Sequence, residues 1–406
     1  MKKEVYFGLP SKVKFCKKTL ISNQRPSSEI EFKHNKNTKK KTLHIDKNFI
    51  SDTWKYSRIK KKINYKKREE ELLKLLDKHR NKHGEYDCIV PGSGGKDSCY
   101  ATDILKRKYG MNPLSVTWPP IIYTQYGFEN FKNWIKTGKI ANISAARNED
   151  VLRILTQSAF KNLLHPFQSF IIGQKIFPIK IALKKKIPLI FYGENEAEHG
   201  NAINDNATSL REKSFHSYKN INDIYFGGLK IKELNEKFKI SIKDLEDYLP
   251  PQKEEFEKSK IEVHYLGYYL RWIPQECFYY SVENCGFKPR PYRSQGTYSK
   301  YNSIDDKFDD INFYTIFNKY GIGRATYDAS QELRNEHLSV EEGKKLIKKY
   351  DGEFPNVYIK DVLDYLDINM SFFKKKIDEF KSPHLWKKTI NGWKLRHTAN
   401  KDGVDD

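Results

Sequence analysis

The stretch "YDCIVPGSGGKDSCYATDILKRKYG", residues 86–110, decides how the rest of the chain reads. Apolar residues run into a glycine cluster holding Ser93, Lys96, Asp97 and Ser98, and a helical pattern follows from Ser98 to about Tyr109. Where a strand turns through glycines into a helix, the backbone can approach a phosphate and the first amides point at it. Two common loops of this kind do not fit. A G-x-x-x-x-G-K loop needs Ser or Thr next, to hold magnesium, but Asp97 follows Gly95-Lys96. A G-x-G-x-x-G dinucleotide loop needs its third glycine where Asp97 stands.

An S-G-G-x-D-S loop does fit, as Ser93-Gly94-Gly95-Lys96-Asp97-Ser98. Ser93 and Ser98 can donate hydroxyl hydrogen bonds to phosphate. Asp97 beside polyphosphate would repel it unless a cation intervenes, so its role is helix capping or magnesium binding. An ordinary Gly-Ser turn is the competing reading, and the strand–loop–helix setting disfavours it.

Working outward, "NPLSVTW" reads as a second strand and "KIANISAA" as a weaker one. Helices are expected over "YGFENFKNWIKTG" (Phe128, Phe131, Trp134 and Ile135 inward), over 149–163 and over roughly 170–186. "IPLIFYGEN" is a short buried strand, and "KIEVHYLGYYLRW" offers another. Alternating β and α elements predict a doubly wound, mainly parallel sheet. Residues 85–290 form this core, with an insertion at about 200–258. Residues 1–84 read as a basic N-terminal region ending in a helix, with Leu72, Leu73, Leu75 and Leu76 apolar and Gly84 as the stop. Residues 291–406 read as a mostly helical region for substrate or partner.

Composition narrows the function. The 406 residues suffice for two or three domains. No apolar run is long enough to span a bilayer, and the start lacks an apolar signal segment, so a cytoplasmic protein is expected. Five scattered cysteines make a disulfide framework improbable. The formal charge of +22 suits nucleic acid or anionic small molecules, although lysine is overused throughout the chain.

The hexapeptide resembles the motif of the PP-loop ATP pyrophosphatases, a HUP-like fold, over residues 85–200. Those enzymes adenylate a carbonyl oxygen, release pyrophosphate and let a nucleophile displace AMP. Further stretches, among them "HPFQSFIIGQK", "PLIFYGENEAEHG", "SQGTYSKYNSIDDK", "YGIGRATYDASQELR" and "KKYDGEFP", together resemble the N-acetyl sugar amidotransferases of the WbpG/PseA type. That resemblance implies conversion of an N-acetyl group on a surface sugar into an acetamidino group, with ATP and magnesium. The sugar would be a nonulosonic acid or a diacetamido uronic acid, for flagellin or lipopolysaccharide O-antigen. None of the cysteines has the setting of a glutaminase nucleophile. Ammonia should therefore come free or from a separate glutaminase like the imidazole glycerol phosphate synthase subunits.

The resemblance also assigns residues. Lys96, Asp97 and Arg324 are the catalytic candidates. Ser93 to Ser98, Thr117, Trp118, Gly193, Glu194 and Asn195 are expected to bind ATP, with adenine near Trp118 unless that ring is core packing. Asp97, Glu194 and Glu198 are candidates for magnesium. Gln174, Lys175, Glu198 and Arg324 are expected to contact substrate, with Asp305, Asp306 and Lys307 as weaker candidates. The family often carries two C-x-x-C pairs near its N-terminus, suited to zinc. Here only Cys16 remains, with Thr19, Ser51 and Trp54 at the other positions, so no zinc site is expected. The rival readings are a PP-loop tRNA-modifying enzyme, of lysidine synthetase or thiolase type, and a scaffold that keeps the fold without the chemistry.

Overall fold

A computed structural model describes residues 3–80, 85–194 and 208–399. Residues 3–50 have little regular structure and are held by the isolated bridges Phe15–Ser22, Pro26–Thr42 and Ile45–Ser51. Leu9, Val13, Cys16, Ile21, Leu43 and Ile45 nevertheless form a core, and they form it with Tyr320, Ile322, Leu385 and Trp386. The start of the chain is thus folded onto its far end. Helix α1 (Asp52–Lys60) follows, capped by Ser51, whose Oγ accepts from Trp54 N–H.

Helix α2 (Tyr65–His79) ends before the expected stop at Gly84, which lies outside the described residues. It buries Leu72 and Leu76 on the sheet and leaves Leu73 largely exposed. Strand β1 (Cys88–Pro91) leads into α3 (Lys96–Asp103), which continues as one π turn over Ile104–Lys108. The helix starts two residues earlier than its pattern suggests. Asp97 therefore sits in the first turn, and the N-cap is Gly95, so capping by Asp97 is not observed.

Next come β2 (Pro113–Thr117), α4 (Gln125–Gly138), β3 (Asn142–Ser144), α5 (Glu149–Leu163), α6 (Gln168–Lys185) and β4 (Leu189–Tyr192). In α4 the buried stripe is Gly127, Asn130 and Trp134; of the expected inward residues Trp134 is buried, Phe131 and Ile135 are half-buried and Phe128 is exposed. Gly127 turns the stripe, because its Cα lies against the backbone of Asp305, where a Cβ would come within 2.4 Å. Phe128 faces solvent under Lys132 as a result. A small hairpin of β5 (Tyr225–Phe226) and β6 (Leu229–Lys230), then α7 (Ile231–Phe238) and α8 (Lys253–Lys258), precede β7 (Glu262–Tyr265).

Strands β1 to β4 and β7 form one parallel sheet in the order β3-β2-β1-β4-β7. Ile89, Leu114, Val116, Ile190 and Val263 pack on α5 and α6. Cys88, Val90, Leu189 and Phe191 alternate to the other face, against α2 and α3. Helices on both faces are what an all-parallel sheet requires. The strand order reverses between β1 and β4, and the carboxyl ends of the strands beside such a reversal form a crevice suited to ligands.

The remaining helices are α9 (Leu266–Tyr269), α10 (Pro274–Cys285), α11 (Asp309–Tyr320), α12 (Arg324–Arg334), α13 (Val340–Tyr350), α14 (Ile359–Leu366) and α15 (Met370–Glu379). A final hairpin, β8 (Trp386–Thr389) and β9 (Gly392–Leu395), was not anticipated in a region that reads as helical. Among the described residues no helix is long and apolar enough to cross a membrane.

Candidate active site

A cavity of about 710 Å³ opens at the crevice between β1 and β4. Its floor is the loop after β1. Gly94 adopts φ +87° and lies against the backbone of Asn130 and Phe131, so a side chain there would collide. A Cβ on Gly95 would meet nothing within 4 Å, which leaves that backbone open to a ligand. The first-turn amides of α3 lack intrahelical acceptors and point the same way. Ser93 Oγ donates to Asp305 Oδ2 at 2.6 Å, and Lys96 Nζ donates to Asp97 Oδ2 at 2.6 Å. Burial pulls the Lys96 pKa down, but Asp97 and Glu194 outweigh it and raise the value above that of a free lysine. Asp97 Oδ1 is buried with no hydrogen-bond partner. An orphaned carboxylate oxygen is costly, and beside a phosphate-type loop it suits a magnesium ion.

Residue Glu194, just beyond β4, accepts from Gln331 Nε2 of α12 at 2.9 Å. That helix forms the facing wall, with Arg324, Tyr327, Gln331 and Arg334 along one side. Its start is fixed by Asp351, which accepts from the N–H groups of Gly323 (2.9 Å) and Thr326 (3.1 Å). Burial pushes the Asp351 carboxyl up to about 6, even though those donors favour the charged form. Two residues on, Glu353 takes a bidentate pair from Arg293, at 2.6 and 2.7 Å. The "DGEFP" segment is therefore a brace for α12 and not only a turn. Arg324 Nε donates to Asp328 Oδ1 at 2.9 Å, and its NH1 donates to Ser303 Oγ at 3.2 Å.

Of the residues singled out in the sequence, Ser93, Gly95, Lys96, Asp97, Gln174, Lys175, Glu194 and Arg324 all line this cavity. Gln174 and Lys175 do so from the middle of α6, not from its start. Ser98 Oγ instead donates to Gly95 O at 2.9 Å and holds the loop. Gly193 packs on Trp272 and accepts from Gly267 N–H. Thr117 and Trp118 are in the core and away from the cavity. Trp118 lies edge-on to Phe177 and Tyr248, with Gly173 pressed on its ring, and Thr117 Oγ1 accepts from Asn142 Nδ2. Asn195 and Glu198 lie outside the described residues. Asp305 was a weaker candidate, and the structure brings it to Ser93 from far along the chain.

Three of the four positions where the resemblance would put thiolates, Cys16, Thr19 and Ser51, lie together. Ser51 N–H donates to Cys16 Sγ at 3.3 Å, and the hydroxyls of Thr19 and Ser51 are 3.3 Å apart. Thr53 Oγ1 lies 2.8 Å from Ser51 Oγ, so hydroxyl hydrogen bonds fill the space between the two turns. Trp54 stands apart on α1, with Arg58 stacked 4.1 Å from its ring.

Among the described residues one group of three side chains gathers metal-type ligand atoms: Glu31, His34 and His165. Lys40 Nζ donates to His34 Nε2 at 3.0 Å there, which puts an ammonium beside any prospective cation. A second cavity, of about 1030 Å³, lies by Pro188 and Glu262 at the amino ends of β4 and β7. Ligands of open parallel sheets bind at the other end.

The comparisons with known proteins bear on the wall opposite the loop. Residues 295–399 match the family model described as the C-terminal domain of lipopolysaccharide biosynthesis proteins of the WbpG-like kind. Residues 295–399 thus form a WbpG-like C-terminal segment. Over 73 residues, 18% of its length, the chain is also 36% identical to an uncharacterised protein of Methanocaldococcus jannaschii, and the match spans about a quarter (26%) of that relative. The WbpG-like segment contains α12, Asp328 and the Asp351–Glu353 brace, and Asp305 lies within it.

Proposed function

We propose that this protein is an ATP-dependent amidotransferase that replaces the oxygen of an N-acetyl group on a bacterial surface sugar with ammonia-derived nitrogen. The products are an acetamidino sugar, AMP and pyrophosphate. The observation that carries the reading is that the S-G-G-x-D-S loop and the WbpG-like segment line the same cavity. The fold assignment that goes with it is the PP-loop ATP pyrophosphatase type, supported by the strand order and by the loop at the reversal point.

An amide is a poor electrophile, and adenylation of its oxygen supplies a leaving group. In this reading the Gly94–Gly95 backbone, the α3 amides and Ser93 take up the departing pyrophosphate, where negative charge develops. Lys96 neutralises that charge. Asp97, with Glu194 nearby, would hold magnesium, which supplies charge compensation between the phosphates and these carboxylates. Ser93 exchanges Asp305 for phosphate when nucleotide enters. Asp305 is then free to turn toward the cation or the acceptor.

The setting of the cysteines supports an external ammonia source. All five are buried. Burial pushes the Cys88, Cys99 and Cys277 thiols up, and that of Cys285 to about 12. A glutaminase nucleophile needs a thiolate, so ammonia is supplied free or by a separate glutaminase subunit. The acceptor class proposed is a nonulosonic acid or diacetamido uronic acid, destined for flagellin or O-antigen.

The test is incubation with ATP, magnesium, ammonium and a panel of N-acetylated acidic and nucleotide-activated sugars. AMP with pyrophosphate, and a sugar mass showing NH in place of O, is the expected result. ADP with phosphate would overturn the loop assignment. AMP release that depends on tRNA and on no sugar would favour a tRNA-modifying enzyme.

A further inference from the structure

Three guanidinium groups face the cavity from the wall opposite the loop. Arg324 and Arg334 stand on the lining side of α12 and bracket Tyr327 and Gln331. Arg25 comes from the other end of the chain, on a ribbon where Pro26 pairs with Thr42 and Leu43 N–H donates to Arg25 O at 2.9 Å. Its Cζ lies 4.3 Å from the centre of the Tyr327 ring, a cation–π contact that fixes the plane of the guanidinium. Arg25 Nε is buried and has no hydrogen-bond partner.

The charges around Arg25 do not satisfy it. Desolvation lowers its pKa. Tyr327 opposes that shift, Arg334 and Arg324 reinforce it, and Glu194 opposes it weakly. Glu194 already accepts from Gln331. Asp328 is shared between Arg324 Nε and the Thr297 hydroxyl. A half-buried guanidinium whose buried Nε has no acceptor, among other guanidiniums, is unfavourable unless an anion completes it. Folding has nonetheless brought residues 25, 324 and 334 to one wall of one cavity.

We propose that Arg25, Arg324 and Arg334 form an oxyanion subsite for the acidic group of the sugar acceptor, a carboxylate or a phosphate, on the wall facing the loop. The proposal rests on the amidotransferase reading, in which the loop takes the phosphates of ATP and leaves this wall to the acceptor. Anchoring the acid there leaves the rest of the sugar to extend toward Ser93 and Lys96. The planar forks of three arginines favour two-point contacts with carboxylate or phosphate oxygens, which a lysine in their place would not give.

The test is equilibrium binding to the full-length protein by calorimetry. The probes are N-acetylneuraminate, its uncharged methyl ester, and UDP-N-acetylglucosamine. The acid, the nucleotide sugar or both should bind at least ~10-fold more tightly than the ester. Which of the two gains identifies the oxyanion as carboxylate or phosphate. Arg25→Gln should abolish that advantage and leave ATP affinity within ~2-fold of wild type. Arg334→Gln serves as the second variant, and circular dichroism melting confirms that each is folded.

Binding of both the acid and the nucleotide sugar no tighter than that of the ester, or no binding of any probe, would overturn the subsite. A loss of ATP affinity in Arg25→Gln, with acid binding untouched, would also overturn it and give the three arginines to the nucleotide. Product analysis judges the amidotransferase reading separately. A charge-dependent binding advantage without AMP formation would keep the subsite and sink the amidation chemistry.

Discussion

The two walls of the cavity are built in different ways. The loop wall is one run of sequence from Ser93 to Asp97, and its working parts are mostly backbone: a left-handed Gly94, an open Gly95 and the first amides of α3. The facing wall is made of side chains, from Arg25 near one end of the chain, Glu194 after β4, and Arg324 to Arg334 in the WbpG-like segment. Local sequence fixes the first wall. The second exists only because residues 3–50 pack on helices and a hairpin some three hundred residues away. Disturbing tertiary packing should therefore spoil the arginine wall while the loop wall survives.

The largest effect should come from the loop. Asp97→Asn is expected to lower the rate of AMP formation by ~100-fold or more, because it weakens the cation site where charge develops. Its melting temperature should fall only modestly, since the variant loses the charge that faces Lys96 but its amide oxygen can still accept from Lys96 Nζ. A matching loss of stability would mean that Asp97 is structural.

Acid should act on the other wall. His384 Nε2 donates to Gln24 Oε1 (3.1 Å) and its Nδ1 accepts from Ser382 Oγ (2.6 Å), and Gln24 adjoins Arg25. Burial, helped by His397, lowers its pKa from 6.5 to about 4. The unfolded chain thus binds a proton first as pH falls. Stability is full above 6.5 and is lost between there and about 4, by roughly 2 kcal/mol from this residue. Denaturant titrations at stepped pH check this, and His384→Gln should flatten the dependence.

Two capping residues give smaller effects. Asp351→Ala leaves the Gly323 and Thr326 amides unsatisfied and should cost about 1–2 kcal/mol. It should also raise KM for the acceptor more than KM for ATP, because α12 carries the arginine wall. Ser51→Ala removes the α1 cap and the hydroxyl contact with Thr19. It should cost about 1 kcal/mol and leave nucleotide binding unchanged.

What the sequence made legible follows the same division. Glycines, a strand and a helix start are local signals, and the loop and α5 are found where they are expected. The aromatic spacing of α4 holds for Trp134 and Phe131 and fails at Phe128, because the packing is set by Gly127 meeting Asp305 from a remote segment. Trp118 ends a strand on the ligand side of the sheet, but its ring turns into the core against Phe177 and Tyr248. Leu9, Val13 and Ile21 show no periodicity because they sit in irregular segments, so nothing in the local pattern marks their core. For the hairpin of β8 and β9, Asn391-Gly392 is a local signal, with Gly392 at φ +99°. Nothing local distinguishes Arg25 from the many other basic residues around it.

The central claim is that the amide oxygen of the acceptor is what ATP activates. It is tested most directly with an acceptor carrying heavy oxygen in its acetamido carbonyl, incubated with ATP, magnesium and ammonium. The account predicts that the label leaves the sugar and appears in the phosphate of AMP. Label retained in the sugar, or AMP formed without it, would contradict adenylation at that oxygen.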